Sequence, residues 1–154
     1  MKTNHKDLTV INTGLESFRL IDSVTEIDDE LIRGAITFCD APPFLAVETL
    51  AQICAYHKRY LDDFQIHSFL LKIKNCSGPF EGKLNGEYKI ESTLKAKSDR
   101  ASTHTASLSI NGKIIFESQI IIASTEYSDH FPREKFEKYY RDVFTCLMKN
   151  GKKN

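Results

Sequence analysis

The sequence has no surplus charge of either sign: 21 basic residues balance 21 acidic ones, a formal net of zero. A broad nucleic-acid or anionic-membrane footprint needs a basic field, so neither partner is expected. The one basic run, the tail "KNGKKN", reads as a solvated end. Paired cysteines are lacking too. Cys39, Cys54, Cys76 and Cys146 stand far apart with no CxxC spacing, which removes zinc ribbons and thioredoxin-like redox sites. No long apolar run is present. The longest, from Pro42 to Ile53, is broken by Glu48, Thr49 and Gln52 and is too short to span a bilayer. "MKTNHKDLTVINTG" has no apolar h-region, so a secretory signal is not expected, and a cytoplasmic protein with reduced thiols is. No histidine has metal-ligand spacing, and no cofactor or metal is expected.

What is present suffices for a single core. A chain of 154 residues, 41% hydrophobic, can bury one without disulfide or metal staples. Residues 17–27, "SFRLIDSVTEI", are rich in β-branched and aromatic types and predict a strand, and "LIRGAITFC" predicts a second after an acidic turn. "DAPP" stops it, because proline donates nothing to a ladder, and a proline is favoured in a helix's first turn. A helix is therefore predicted over residues 43–61. "FLLKIKNC" follows, then a Ser77-Gly78-Pro79 break and a strand over 84–97 that alternates apolar and polar side chains from Tyr88 to Lys97. Asn111-Gly112 joins two further β-rich runs and predicts a type I′ hairpin, which needs positive φ at both positions. The final segment, "FPREKFEKYYRDVFTCLMKNG", predicts a helix with Phe136, Tyr140, Val143 and Leu147 on one stripe. One long helix with an antiparallel meander after it implies an α+β fold, the sheet curled around that helix.

Within residues 43–56 the central helix is apolar nearly all round, which marks it for burial, with exposed character expected again at "HKRYLDD". Glu48 and Gln52 break the pattern, and four residues apart they share a face. An ionised carboxylate there is costly unless it is paired, hydrogen-bonded or protonated. One reading makes Glu48 a general acid or base. The other leaves it structural, held by the helix N-terminus, with Gln52 bonded to main chain. Of their neighbours, Asp40 reads as a helix cap, Cys39 as a small buried strand residue, and His57, about half a turn round from Glu48, as a surface residue.

The order "FRLIDSVTEI", "PPFLAVETLAQICAY", then "FLLKIKNCSGPFEGKLNGEYKIESTLKAKSDRASTHTASLSINGKIIFESQIIIAS" resembles the hot-dog-fold 3-hydroxyacyl-[acyl carrier protein] dehydratases. The likeness covers roughly residues 17 to 125, and its specific part is "VETLAQ" on the central helix. It implies a hot-dog domain over residues 1–127, with residues 128–154 an added helix and tail packed on it. It also implies two protomers pairing their sheets edge to edge, and an acyl chain entering at the dimer interface, near Phe44, Asp40 and Gln52, with Glu48 facing the thioester.

Two parts of the dehydratase machinery have no counterpart. The family's proton-abstracting histidine lies between the second strand and the helix, whereas no histidine occurs here between His5 and His57. The glycine whose N–H polarises the thioester carbonyl is replaced by Pro43, which has no N–H to give. Three functions are compatible with these residues. One is a dehydratase-like protein of fatty-acid or polyketide-type metabolism with a degenerate site. Another is a hot-dog acyl-thioesterase using Glu48. The last is a non-catalytic acyl-binding subunit, alone as a homodimer or in a heterodimer with an intact dehydratase-like chain. The acyl group would arrive on acyl carrier protein or coenzyme A.

Overall fold

The computed structural model describes residues 19–153. Six strands, β1 (Ser23–Ile27), β2 (Leu31–Ala41), β3 (His67–Ser77), β4 (Leu84–Lys97), β5 (Ala101–Ile110) and β6 (Lys113–Thr125), form one sheet in the order β1-β2-β4-β5-β6-β3. Each pairing is antiparallel. The central helix, α1 (Phe44–Leu61), packs across β2 to β6, and a C-terminal helix, α2 (Arg133–Lys152), packs against β1.

The predicted helix and the strand over 84–97 form where the periodicity put them. Asn111 and Gly112 adopt φ of 52° and 76°, the pair of positive values that a type I′ turn demands. In β4 the buried and exposed residues alternate through Ser92, and a bulge at Leu94/Ala96 then ends the alternation and leaves Ala96 exposed.

The first strand is shorter than predicted. Residues 17 and 18 lie outside the described residues, and 19–22 run irregularly because side chains capture their backbone. The Leu20 N–H donates to Gln52 Oε1 at 3.0 Å, and the Asp22 carbonyl accepts from Asn150 Nδ2 at 3.0 Å.

Local readings around the central helix need correction. Pro43 is its N-cap and no side chain caps it, so Asp40 has no capping role. Asp40 instead sits in the left-handed region at φ 50°, within the irregular end of β2, its N–H bonded to Asn85 Oδ1 at 2.7 Å. Cys39 is exposed rather than buried. "HKR" is not a surface segment: His57, Lys58 and Arg59 are 0%, 0% and 6% exposed. The face opposite Glu48 is the one against the sheet, so His57 is buried there and its Nε2 bonds the Asp28 carbonyl oxygen at 2.9 Å. Lys58 keeps its charge paired with Asp62 at 2.8 Å.

The basic tail is exposed at Lys149, Lys152 and Lys153, as a solvated end would be, but it is helical. The C-terminal helix continues through Gly151 to Lys152, and Asn150 donates to the Asp22 carbonyl at 3.0 Å. Its buried stripe includes Tyr139, 1% exposed, beside the expected Tyr140, Val143 and Leu147, while Phe136 is half-buried.

Candidate functional site

Glu48, Gln52, Ala55, Tyr56 and Arg59 fall on one face of the central helix at spacings of three and four. That stripe forms the floor of a cleft of about 390 Å³. The roof comes from the C-terminal helix, through Tyr139, Tyr140, Val143 and Leu147, and the walls from residues 19–21 and the start of β3. The covering helix runs antiparallel to the floor. Tyr140 meets Arg59 and His67, while Asn150, at the other end, reaches the carbonyl of Asp22 beside the wall.

Glu48 is half-buried at one end of this cleft. Its Oε1 accepts a hydrogen bond from Gln52 Nε2 at 3.2 Å, while Gln52 Oε1 accepts from the Leu20 N–H. The amide thus joins the carboxylate to the incoming chain, and both expectations for Gln52, orienting Glu48 and bonding main chain, describe it. Of the other candidates, Phe44 is 63% exposed one turn before Glu48, and neither it nor Asp40 lines the cleft.

At the other end lie residues that the sequence did not single out. Arg59 is 6% exposed, and its guanidinium stacks 3.6 Å from the Tyr140 ring centroid while Nη2 donates to the Ser68 carbonyl at 2.6 Å. His67 is 6% exposed and stacks on Phe131 with ring centroids 4.5 Å apart. Burial, with the Arg59 charge adding to it, pushes the His67 imidazole down to about 4, so the ring is neutral near pH 7. The 48, 52, 55, 56, 59 spacing was a readable signal. It was obscured because polar "HKR" suggested an exposed last turn.

A second polar cluster has no access. His104 Nε2 and Ser102 Oγ are 2.7 Å apart, His104 Nδ1 and Ser92 Oγ 3.4 Å, and Cys54 Sγ and Ser92 Oγ 3.3 Å. All four residues are at most 2% exposed, and burial pushes the Cys54 thiol up to about 12. A nucleophile that neither ionises nor meets a substrate does no chemistry, so this network holds helix to sheet. Among the described residues no three histidine, cysteine or acidic side chains gather to hold a metal ion. No described helix is long and apolar enough to cross a membrane.

No protein-family model matches the chain, and no curated protein matches it. Solved structures do share its architecture. The dehydratase heterocomplex ApeI:P from Xenorhabdus doucetiae superposes with a TM-score of 0.62 at 12% identity, over 74% of this chain and 86% of that one. A thioesterase from Haemophilus influenzae gives 0.60 at 11% identity, over 82% and 93%. A mutant thioesterase from Pseudomonas aeruginosa gives 0.61 at 14% identity, over 82% and 96%. The chain is a hot-dog-fold protein, a long helix wrapped by an antiparallel sheet with a further helix at its C-terminus. The dehydratase family is not singled out, since thioesterases and a dehydratase share this architecture equally.

Proposed function

We propose that the chain acts on acyl thioesters, hydrolysing them with Glu48 as general base. The observation that carries this is the half-buried Glu48 carboxylate, held by Gln52 at the end of an apolar cleft, in a fold that thioesterases share. Glu48 takes a proton from water as its oxygen attacks the thioester carbonyl carbon. The C–S bond then breaks, and the departing thiolate receives that proton, giving a carboxylic acid and a free thiol. Outside the cleft, exposed Phe44, one turn before Glu48, would offer an apolar contact to the carrier side of the thioester, and Asp40 a polar one.

Hydrolysis is preferred over dehydration on one ground, since the N–H that Pro43 cannot give to the carbonyl oxygen is wanted by both reactions. Among the described residues the one histidine lining the cleft, His67, packs by Arg59, eleven residues along the helix from Glu48, or about 16 Å at 1.5 Å per residue. Acyl-CoA and acyl-[acyl carrier protein] of several chain lengths should be assayed for thiol release against 3-hydroxyacyl dehydration. Glu48→Gln is nearly isosteric and should abolish thiol release without moving the melting temperature. Turnover that survives it would make the carboxylate structural.

A second reading follows from β3. This strand is the sheet's uncovered edge, and it exposes Phe69, Leu70, Leu71 and Ile73. Such an edge suits antiparallel pairing with a second hot-dog protomer. A copy of this chain gives a homodimer. An intact dehydratase-like chain would give a heterodimer in which the partner supplies the missing histidine.

A further inference from the structure

Arg59 is a buried cation without an anion among the described residues. Its described contacts are the Ser68 carbonyl and the faces of Tyr140 and Tyr56, and its Nε is buried with no hydrogen-bond partner. A buried, half-satisfied guanidinium is costly, and the usual remedy is a carboxylate within ion-pair distance. Among the described residues none occupies that place. His67, beside it, also has a buried and unpartnered nitrogen, Nδ1. Both residues line the same apolar cleft. Two residues more than nine-tenths buried, each with an unpartnered nitrogen and both lining one end of an apolar cleft, describe a receptor for a negative group carried on an apolar chain.

We propose that Arg59 and His67 form a carboxylate subsite at the inner end of the cleft, so that the ligand is an apolar chain ending in a carboxylate. The carboxylate would pair with the Arg59 guanidinium and accept a hydrogen bond from the His67 ring, while the chain lies between the stripe of the central helix and Val143 and Leu147. Joined to the reading of Glu48 as the hydrolytic base, on which this step alone rests, the separation of about 16 Å places a thioester at one end and the carboxylate at the other. The substrate class is then an ω-carboxyacyl thioester. A free fatty acid, bound with its carboxylate inward, presents the same chemistry.

Calorimetry on the whole protein, with decanoate and 1-decanol as probes, tests the subsite directly. Decanoate should bind about tenfold tighter or better, the size of effect one charge-assisted hydrogen bond gives. Equal binding of acid and alcohol would overturn the proposal. Arg59→Met should remove the difference. Because that change also removes the Ser68 contact and can harm folding, the His67 ring resonance of the unmodified protein serves as a second readout. The titratable groups around it are Arg59 of the central helix, Tyr140 of the C-terminal helix and Tyr127 of the loop between. Decanoate should raise the ring's titration midpoint from about 4, and 1-decanol should leave it there. An unmoved midpoint in the presence of saturating decanoate would also overturn it. A last arm separates the sources and the two readings: the mono-CoA thioester of decanedioic acid is compared with decanoyl-CoA. Preference for the former, lost through KM in Arg59→Met, supports the ω-carboxyacyl substrate. Decanoate binding through Arg59 without that preference supports the subsite as a fatty-acid site. Decanoate binding with no turnover of any thioester sinks the hydrolase reading and leaves the subsite standing.

Discussion

His104 sits between Ser92 and Ser102 with no exposed surface, and burial pushes its imidazole down to about 3. Burial lowers His57 too, against the pull of the Asp28 carbonyl, and takes His67 to about 4. His67 and His104 are neutral in the folded protein near pH 6, and His57 is shifted in the same direction, whereas unfolded histidines take up protons near 6.5. The unfolded state therefore binds more protons below that value, and stability falls as pH is lowered from about 6.5 towards 4. The slope approaches about 1.4 kcal/mol per pH unit for each such ring. Urea unfolding at pH 7.5, 6 and 5 should show the decline, and His104→Gln should make it shallower. A flat profile across that range would contradict the burial argument. Gln52 gives a second prediction at this scale, since one side chain bonds both the Leu20 N–H and Glu48. Gln52→Ala should cost about 1 to 2 kcal/mol by leaving a half-buried N–H unpaired. It should also lower any thioester turnover, because the carboxylate loses its tether. A melting curve identical to that of the unmodified chain would rule out this role.

The C-terminal helix meets β1 through a backbone contact that only glycine permits. A Cβ at Gly151 would stand 1.9 Å from the Val24 carbonyl oxygen, well inside any real contact. Gly151→Ala should therefore lift the helix end off the strand and lower the melting temperature, as a thermal unfolding curve would report. In helical sequence a glycine normally reads as a stop, and the helix does end one residue later, at Lys152, but Gly151 also serves a close approach that the sequence did not show. The same contrast runs through the rest of the chain. The central helix, the Asn111-Gly112 hairpin and the alternation of β4 depend on neighbours in sequence, and they were legible. The burial of His57, Lys58 and Arg59 depends on the loop at Asp28, on β3 and on the C-terminal helix, which arrive from far along the chain. Polarity in a single segment carries no record of such partners. Glu48 and Gln52 were legible because they are polar in an apolar stretch, whereas Arg59 and His67 lay among polar residues and gave no contrast.

At the scale of the molecule the two edges of the sheet are treated differently. The β1 edge is covered by the C-terminal helix, while β3 leaves main-chain donors and acceptors beside an exposed apolar row. Leu71 is 59% exposed and Phe69 41%, and an edge so equipped invites another strand unless charge or proline guards it. Lys72 and Lys74 interrupt the row, so indiscriminate stacking is opposed while one defined antiparallel partner remains possible. The chain alone should therefore form a dimer in solution, joined through β3. Leu71→Lys puts a charge at the centre of that contact without touching the protomer's core, and should shift the mass measured by light scattering from two chains to one at unchanged helix content. A chain that is monomeric before the substitution would remove the homodimer. The apolar row would then await a different hot-dog chain, and co-expression with an intact dehydratase-like partner, followed by the same mass measurement, would decide whether it completes that pair.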